Sequence, residues 1–437
     1  MHILLITQYD RPVITPNVIR WRHIIEHWLD EGHSVTLLTT RRSNLPIKEE
    51  QNQLTIYRTG YASLLDWFYH FRPGGHRRFE AGLESRTKGS QFRRISEKGI
   101  TLFWRSWYWP DGALLWLTGG RKLIKNIPFN NSPDIIISVG LPFSAHLLGH
   151  VAKKKWPTAN WIMDIADPFA LSDQFWVNNA ILWSERNRQV EKNMILDADK
   201  IVLTHEASLE AHLNFYPEIS VAILEKSVII PPMLTRKIGN NDTTFFTSDA
   251  LIKIGYFGSF YKQVREPDQI ITFIKKLKNS APTFHSILAF RLAGTIPVDL
   301  KKNINALFDA FVQSDYLGLL PPEAVSDVMD SMDFLLHLGN TTTYHLPSKA
   351  PDYLATGKPI INFIQNEEDS FKSFAKDYPL LLNITLRPNG PSREDIDSFV
   401  QFVHTNKGKR VDPTFLETLL APCTIPQVAN AYLAGLK

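Results

Sequence analysis

The stretch Leu346 to Phe363, LPSKAPDYLATGKPIINF, decides how this chain is read. Pro351 lacks a backbone N–H, so a helix containing it must begin near Ser348 and hold the proline in its first turn, where donors have no intrahelical partner. Gly357 tolerates the left-handed angles that end a helix, Pro359 prevents continuation, and Ile360 to Phe363 then reads as a buried strand. Ser348 and Lys349 fall where free N–H groups and the helix dipole favour an anion the size of a phosphate. The plain alternative is a capped helix between two strands.

Outward from this segment the chain alternates strands and helices. His2 to Thr7 reads as a strand, Asn17 to Glu31 as a helix with apolar residues at helical spacing, and Ser34 to Thr40 as a second strand, which together make a βαβ unit. The loop QYDRPVITPN lacks the GxGxxG that brings backbone against a dinucleotide, so a nicotinamide or flavin cofactor is disfavoured. The alternation resumes with strand Asp134 to Ser138, helix Phe143 to Lys155, strand Trp161 to Asp164, a polar helix near Trp183 to Leu196, and strand Lys200 to Thr204. A second set begins at Leu251, where IKIGYFGSF precedes a helix whose Pro267 suits its first turn and whose Ile270, Ile271, Ile274 and Leu277 form one face. Between the sets, residues 229–249 have the Pro, Asn, Thr and Asp content of a linker. These signals predict an N-terminal domain over 1–232, a C-terminal domain over 250–408 and a helical tail over 409–437.

With 437 residues, 44% hydrophobic and 21% charged, the chain has the composition of a soluble two-domain protein. No run approaches the ~20 apolar residues that span a bilayer. MHILLITQYD has neither the basic leader nor the cleavage site of a signal peptide, and the single Cys423 excludes an intrachain disulfide. The expected location is the cytoplasm. Charge is uneven: between Phe71 and Lys125 there are 12 Lys or Arg against 4 Asp or Glu, so this stretch carries +8 and the remainder −4. It also holds Trp104, Trp107, Trp109 and Trp116. We read residues 71–125 as a basic, aromatic insertion suited to an anionic membrane surface, which would make the protein peripheral on the inner face of the plasma membrane. Nucleic acid is the weaker reading, and a solvated basic face over core tryptophans is the plain one.

The words PSK and DYLATGKPII, with their spacing, resemble the donor site of family 4 glycosyltransferases in the branch typical of bacterial surface-polysaccharide synthesis. Two further segments extend the resemblance. Pro133 to Ala170 is similar to the acceptor-side segment of those enzymes, and GYFGSFYKQVREP, from Gly255 to Pro267, is similar to the segment holding the donor diphosphate. The resemblance implies an α/β fold of two Rossmann-like, doubly wound domains facing a cleft (GT-B), with the final helix crossing back onto the first domain. It also implies transfer with retention from a nucleotide diphosphate sugar to a saccharide or lipid-linked acceptor, with no metal required. Carried over by position, Gly258, Ser259, Arg265, Ser348 and Lys349 would hold the diphosphate and Asp352 the ribose. Tyr344 would face the sugar in place of the family's Glu. Ala166 and Phe169 stand where those enzymes have Arg and Trp.

Asp164 and Asp167 end a predicted parallel strand, where ligands bind in doubly wound sheets, and are the candidate catalytic carboxylates; Asp167 before Pro168 also suits a turn. His146 and His150 lie at i and i+4 without a Glu or a third ligand, and Asp197 and Asp199 sit between a helix end and a strand, so no metal is expected at either. The sequence therefore reads as a glycosyltransferase. A nucleotide-sugar epimerase of related shape and a non-catalytic nucleotide-sugar-binding protein are the alternatives.

Overall fold

The computed structural model describes residues 1–13, 15–42, 45–62, 106–127, 132–172, 177–239 and 251–435. The chain divides into two compact units, Met1–Pro231 with Ile425–Lys437, and Pro232–Thr424.

In the first unit the strands are β1 (His2–Ile6), β2 (Ser34–Thr40), β3 (Lys48–Gln51), β4 (Leu54–Thr59), β5 (Ile135–Val139), β6 (Asn160–Asp164), β7 (Lys200–Leu203) and β8 (Ser227–Ile229). They form one sheet in the order β3-β4-β2-β1-β5-β6-β7-β8, parallel throughout except for β3. β5, IIISV, is buried along its whole length, as expected of a central parallel strand covered on both faces. The chain moves outward from β1 through β2 and then restarts beyond β1 at β5, so the strand order reverses between β1 and β5.

The expected insertion ends too late. Residues 63–105 lie outside the described residues, but Trp116, Leu117 and Ile124 are buried in the helix Leu114–Asn126, which packs on the helix Ser144–Lys155. Asp111 fixes the approach, accepting from Ala113 N, Ser144 N and Ser144 Oγ at 2.7–3.0 Å. Of the described tryptophans, Trp116 belongs to the core, Trp109 lies under the Arg186 guanidinium at 4.0 Å, and Trp107 is 72% exposed. Among the described residues no helix is long and apolar enough to cross a membrane.

The second unit carries β9 (Ile252–Phe257), β10 (Leu288–Ala293), β11 (Gln313–Tyr316), β12 (Phe334–Leu338), β13 (Ile360–Ile364) and β14 (Leu381–Thr385) in a parallel sheet of order β11-β10-β9-β12-β13-β14. Its reversal falls between β9 and β12. The helix Asp268–Ser280 buries Ile270, Ile271, Phe273, Ile274 and Leu277, with Pro267 just before its first turn.

Two boundaries differ from the expectation. Residues 232–239 are not a loose linker: Met233 is buried, Arg236 pairs with Asp330 at 2.7 Å, and Gly239 N donates to Ala355 O. The tail also divides. The helix Pro413–Leu420 buries Leu416 and Leu420 in the second unit, and only Ile425–Lys437 joins the first. There the helix Ile425–Leu433 buries Val428, Ala429 and Tyr432, spaced to face the helix Pro16–Asp30, and Trp28 Nε1 donates to Ala429 O at 3.1 Å.

Candidate functional site

Ligands of doubly wound sheets bind beyond the carboxyl ends of strands at the point where strand order reverses. In the second unit that point is bridged by one side-chain pair. Arg265, on the loop after β9, donates from Nε and Nη2 to the Asn340 side-chain oxygen after β12, at 3.0 and 2.6 Å. The Tyr261–Arg265 backbone bridge folds the loop back to place the guanidinium. Asn340 is neutral, and among the described residues no carboxylate lies within salt-bridge distance of Arg265. The guanidinium is thus oriented without being cancelled.

Gly258 follows β9 directly. A Cβ there would sit 3.7 Å from Arg265 Nη1 and 3.2 Å from the Tyr256 hydroxyl, so its bareness keeps backbone open beside the cation. Gly294, at a φ of +150°, is closer still: a Cβ there would lie 1.9 Å from the Gly258 carbonyl oxygen. Ser259 shares a hydroxyl contact with Thr295 at 2.5 Å. Below Arg265, His337 is buried on β12 with Nδ1 on Asn362 at 2.7 Å and its ring stacked on Phe371. Burial, and next the nearby Arg265 charge, pull it down to about 3, so it is neutral. Burial also pushes the Asp369 carboxyl up. Hydrogen bonds from Lys372 N and Asn362, with the Arg265 charge, pull it the other way.

The helix expected to begin near Ser348 runs Ala350–Ala355, with Lys349 as its cap, Pro351 in its first turn and Gly357 in the left-handed region after it. Tyr353 Oη donates to Leu336 O at 3.2 Å and accepts from Phe257 N at 2.8 Å, pinning the helix to the middle of β12 and the end of β9. Six residues carry little macrodipole, and Ala350 N is already spent on Pro347 O at 3.0 Å. Anion attraction here therefore rests on the exposed Ser348 and half-buried Lys349 side chains more than on the dipole. Asp352 is turned into the protein. It is 5% exposed, and its two oxygens accept from Thr235 N and Thr235 Oγ1 at 2.8 and 2.7 Å, which ties residues 232–239 to the helix. Tyr344 is buried with its ring 4.5 Å from that of His345.

In the first unit the two candidate carboxylates separate. Asp164, the last residue of β6, is 1% exposed and accepts from the Tyr432 hydroxyl at 3.0 Å; burial pushes its carboxyl up, while Arg20 and that hydroxyl pull it down. Asp167 is exposed. Phe169 stacks on Phe143 with centroids 4.0 Å apart, and its N–H, with that of Ala170, donates to the buried Glu191. The two helical histidines part company as well: His146 is buried on Ser138 at 2.9 Å, and His150 faces Asp197 at 3.4 Å. Asp199 accepts from Trp161 N and Lys153. Among the described residues no three His, Cys, Asp or Glu side chains converge as metal ligands. Sequence reasoning missed Asn340, Tyr432, Arg20 and Glu191, whose partners lie far away along the chain.

Solved structures match this chain from end to end. One from E. coli, described as trehalose-6-phosphate bound with UDP-2-fluoro glucose, shares 11% identity over 100% of this chain and 99% of its own, with a TM-score of 0.62. The chain has the fold of the trehalose-6-phosphate synthases. A Burkholderia multivorans α,α-trehalose 6-phosphate synthase gives 10% identity, coverage of 100% and 96%, and a TM-score of 0.60. A trehalose-6-phosphate synthase studied with bisubstrate glycomimetics for transfer with retention gives 12% identity, coverage of 99% and 98%, and 0.58. These similarities show two Rossmann-like α/β domains of the GT-B kind. They are not surface-polysaccharide enzymes, so the family 4 branch rests on the three motif segments alone. No family model matches the sequence, and no curated protein matches it.

Proposed function

We propose that the protein is a glycosyltransferase that moves a sugar, with retention, from a nucleotide diphosphate sugar to a saccharide or lipid-linked acceptor. The observation that carries this is Arg265: a guanidinium oriented by a neutral amide at the β9/β12 reversal, beside the bare backbone of Gly258, with no carboxylate among the described residues within salt-bridge distance. When the anomeric C–O bond breaks, the diphosphate departs with growing negative charge, and fixed cations stabilise that charge without reorganising. Arg265 and Lys349, with the backbone and hydroxyls at Gly258, Ser259 and Ser348, supply such a set. In the first unit Asp167 provides the exposed carboxylate, taking the acceptor's proton or facing the sugar's positive charge. Asp352 and Tyr344 are given no ligand role, because both are committed to the interior. The matching synthase structures support this reading, since one holds a UDP sugar and another was studied for transfer with retention.

The lipid-linked form of the acceptor is favoured by exposed apolar side chains. Trp107, Ile181 and Leu182 are 72%, 87% and 58% exposed, and Ser106 Oγ accepts from Asn179 at 2.8 Å, which brings these residues together. We read them as the point of contact with an anionic membrane surface. A thermal-shift screen of nucleotide diphosphate sugars tests the donor assignment, because a ligand at 100 times its Kd stabilises the fold by about 2.7 kcal/mol. Absence of any shift across the panel would remove it.

A further inference from the structure

The loop that carries Asp167 is held at both ends by buried carboxylates, and each carboxylate receives a tyrosine hydroxyl. At the far end, Phe169 N and Ala170 N donate to Glu191 at 3.3 and 2.9 Å, and Tyr216 Oη donates to the same carboxylate at 2.7 Å. At the near end, Asp164 receives the hydroxyl of Tyr432, which lies 268 positions away on the helix Ile425–Leu433. The Tyr432 oxygen in turn accepts from Arg20 Nη2 at 3.0 Å. One phenol therefore stands between a carboxylate and a guanidinium.

The arrangement is sparse. Asp164 Oδ1 and Arg20 Nε are buried with no hydrogen-bond partner, and among the described residues Tyr432 is the one side chain hydrogen-bonded to the Asp164 carboxylate. A buried carboxylate that loses its last donor must take up a proton or move toward water. Asp164 lies at the strand end, so movement there carries the following residues with it. The ring itself is fixed by Trp21, at 5.0 Å between centroids, and edge-on by Trp28 at 6.3 Å, so the hydroxyl is delivered in a set direction.

We infer that Tyr432 is a positioning residue: its hydroxyl, supplied by the C-terminal helix, holds Asp164 and thereby sets the loop in which Asp167 acts. This rests on the proposed role of Asp167. Turnover in the first unit's chemistry then depends on the chain's last helix being docked, although Tyr432 is remote in sequence from every motif.

The test compares Tyr432→Phe with Lys200→Met in the full chain. The second removes the hydrogen bond from Lys200 Nζ to Ala434 O, just past the end of the same helix, without touching Tyr432, Arg20 or Asp164. Hydrogen exchange of the Ile165–Ala170 amides is read first, then nucleotide release from UDP-glucose with a panel of free and phosphorylated sugars. Tyr432→Phe should speed exchange in the loop at least tenfold and lower kcat at least tenfold with donor KM within twofold; Lys200→Met should do neither. Wild-type exchange in the Tyr432→Phe loop, or equal loss in both variants, would overturn the inference. Asp167→Asn is assayed alongside: if it keeps wild-type turnover the underlying reading fails, and the exchange result still decides whether Tyr432 holds the loop.

Discussion

Replacing Arg265 by Ala should weaken nucleoside diphosphate binding by about 10–150-fold while leaving the second unit folded. The figure comes from one charge-assisted contact to phosphate, about 1.5–3 kcal/mol, at about 1.4 kcal/mol per factor of ten. One contact is the appropriate count, because Nε and Nη2 are already turned to Asn340, leaving Nη1 on the Gly258 side. Loss of the guanidinium also strips the Asn340 oxygen of its donors, which should cost on the order of 1 kcal/mol of stability, so denaturation midpoints are measured in parallel. Arg265→Lys separates charge from geometry. An ammonium keeps the charge but lacks the planar fork, so it cannot hold Asn340 and a phosphate at once, and its affinity should fall between wild type and Ala. The assay is calorimetry with whichever of UDP, GDP, ADP or dTDP gives the largest thermal shift. A folded Arg265→Ala variant that binds this nucleotide within twofold of wild type would refute the reasoning.

Asp352→Asn should destabilise the second unit by about 1–3 kcal/mol in urea titrations, since an amide cannot accept from Thr235 at both positions, and should leave nucleotide affinity unchanged; lost affinity at full stability would return the ribose to Asp352. Asp167→Asn should lower turnover about 10²–10⁴-fold with donor affinity retained, and near-normal turnover would reduce Asp167 to a turn residue. His337 and His146 are each held down to about 3 by burial, so the unfolded chain binds more protons than the folded one below 6.5. Stability should therefore be fully present above pH 6.5 and fall progressively toward pH 3, and His337→Gln should flatten part of that slope; an unaltered slope would contradict the assignment. Anionic vesicles should bind the protein more weakly as salt rises, and Trp107→Ser with Ile181→Ser should reduce that binding without changing nucleotide affinity. Absence of vesicle binding at low salt would favour a soluble acceptor.

Much of the fold could be read directly because parallel strands buried on both faces are near-continuous apolar runs. The segments IIISV and IINFI stand out against the amphipathic helices beside them. β3 and β4 were missed because KEEQ is polar and LTIYRT alternates at the sheet's outer edge. Pro351 and Gly357 marked the short helix well, but its true start lies two residues later, at Ala350. Local motifs single out Arg265, Ser348 and Lys349 as candidates. What the candidates Arg265, Asp352 and Asp164 face could not be read from them: Asn340 lies 75 positions from Arg265, Thr235 lies 117 from Asp352, and Tyr432 lies 268 from Asp164. Motif spacing shows where a side chain starts, and only tertiary packing shows whether a carboxylate such as Asp352 meets solvent or a neighbouring strand of chain.

Product analysis tests the central claim most directly. The full chain is incubated with each nucleotide diphosphate sugar that shifts its melting temperature, with and without a panel of saccharide and lipid-linked acceptors, and the products are resolved by NMR. The account predicts release of the nucleoside diphosphate together with a new glycoside that keeps the donor's anomeric configuration, and only when acceptor is present. An isomerised donor formed without acceptor, or tight binding with no diphosphate released in any mixture, would contradict it.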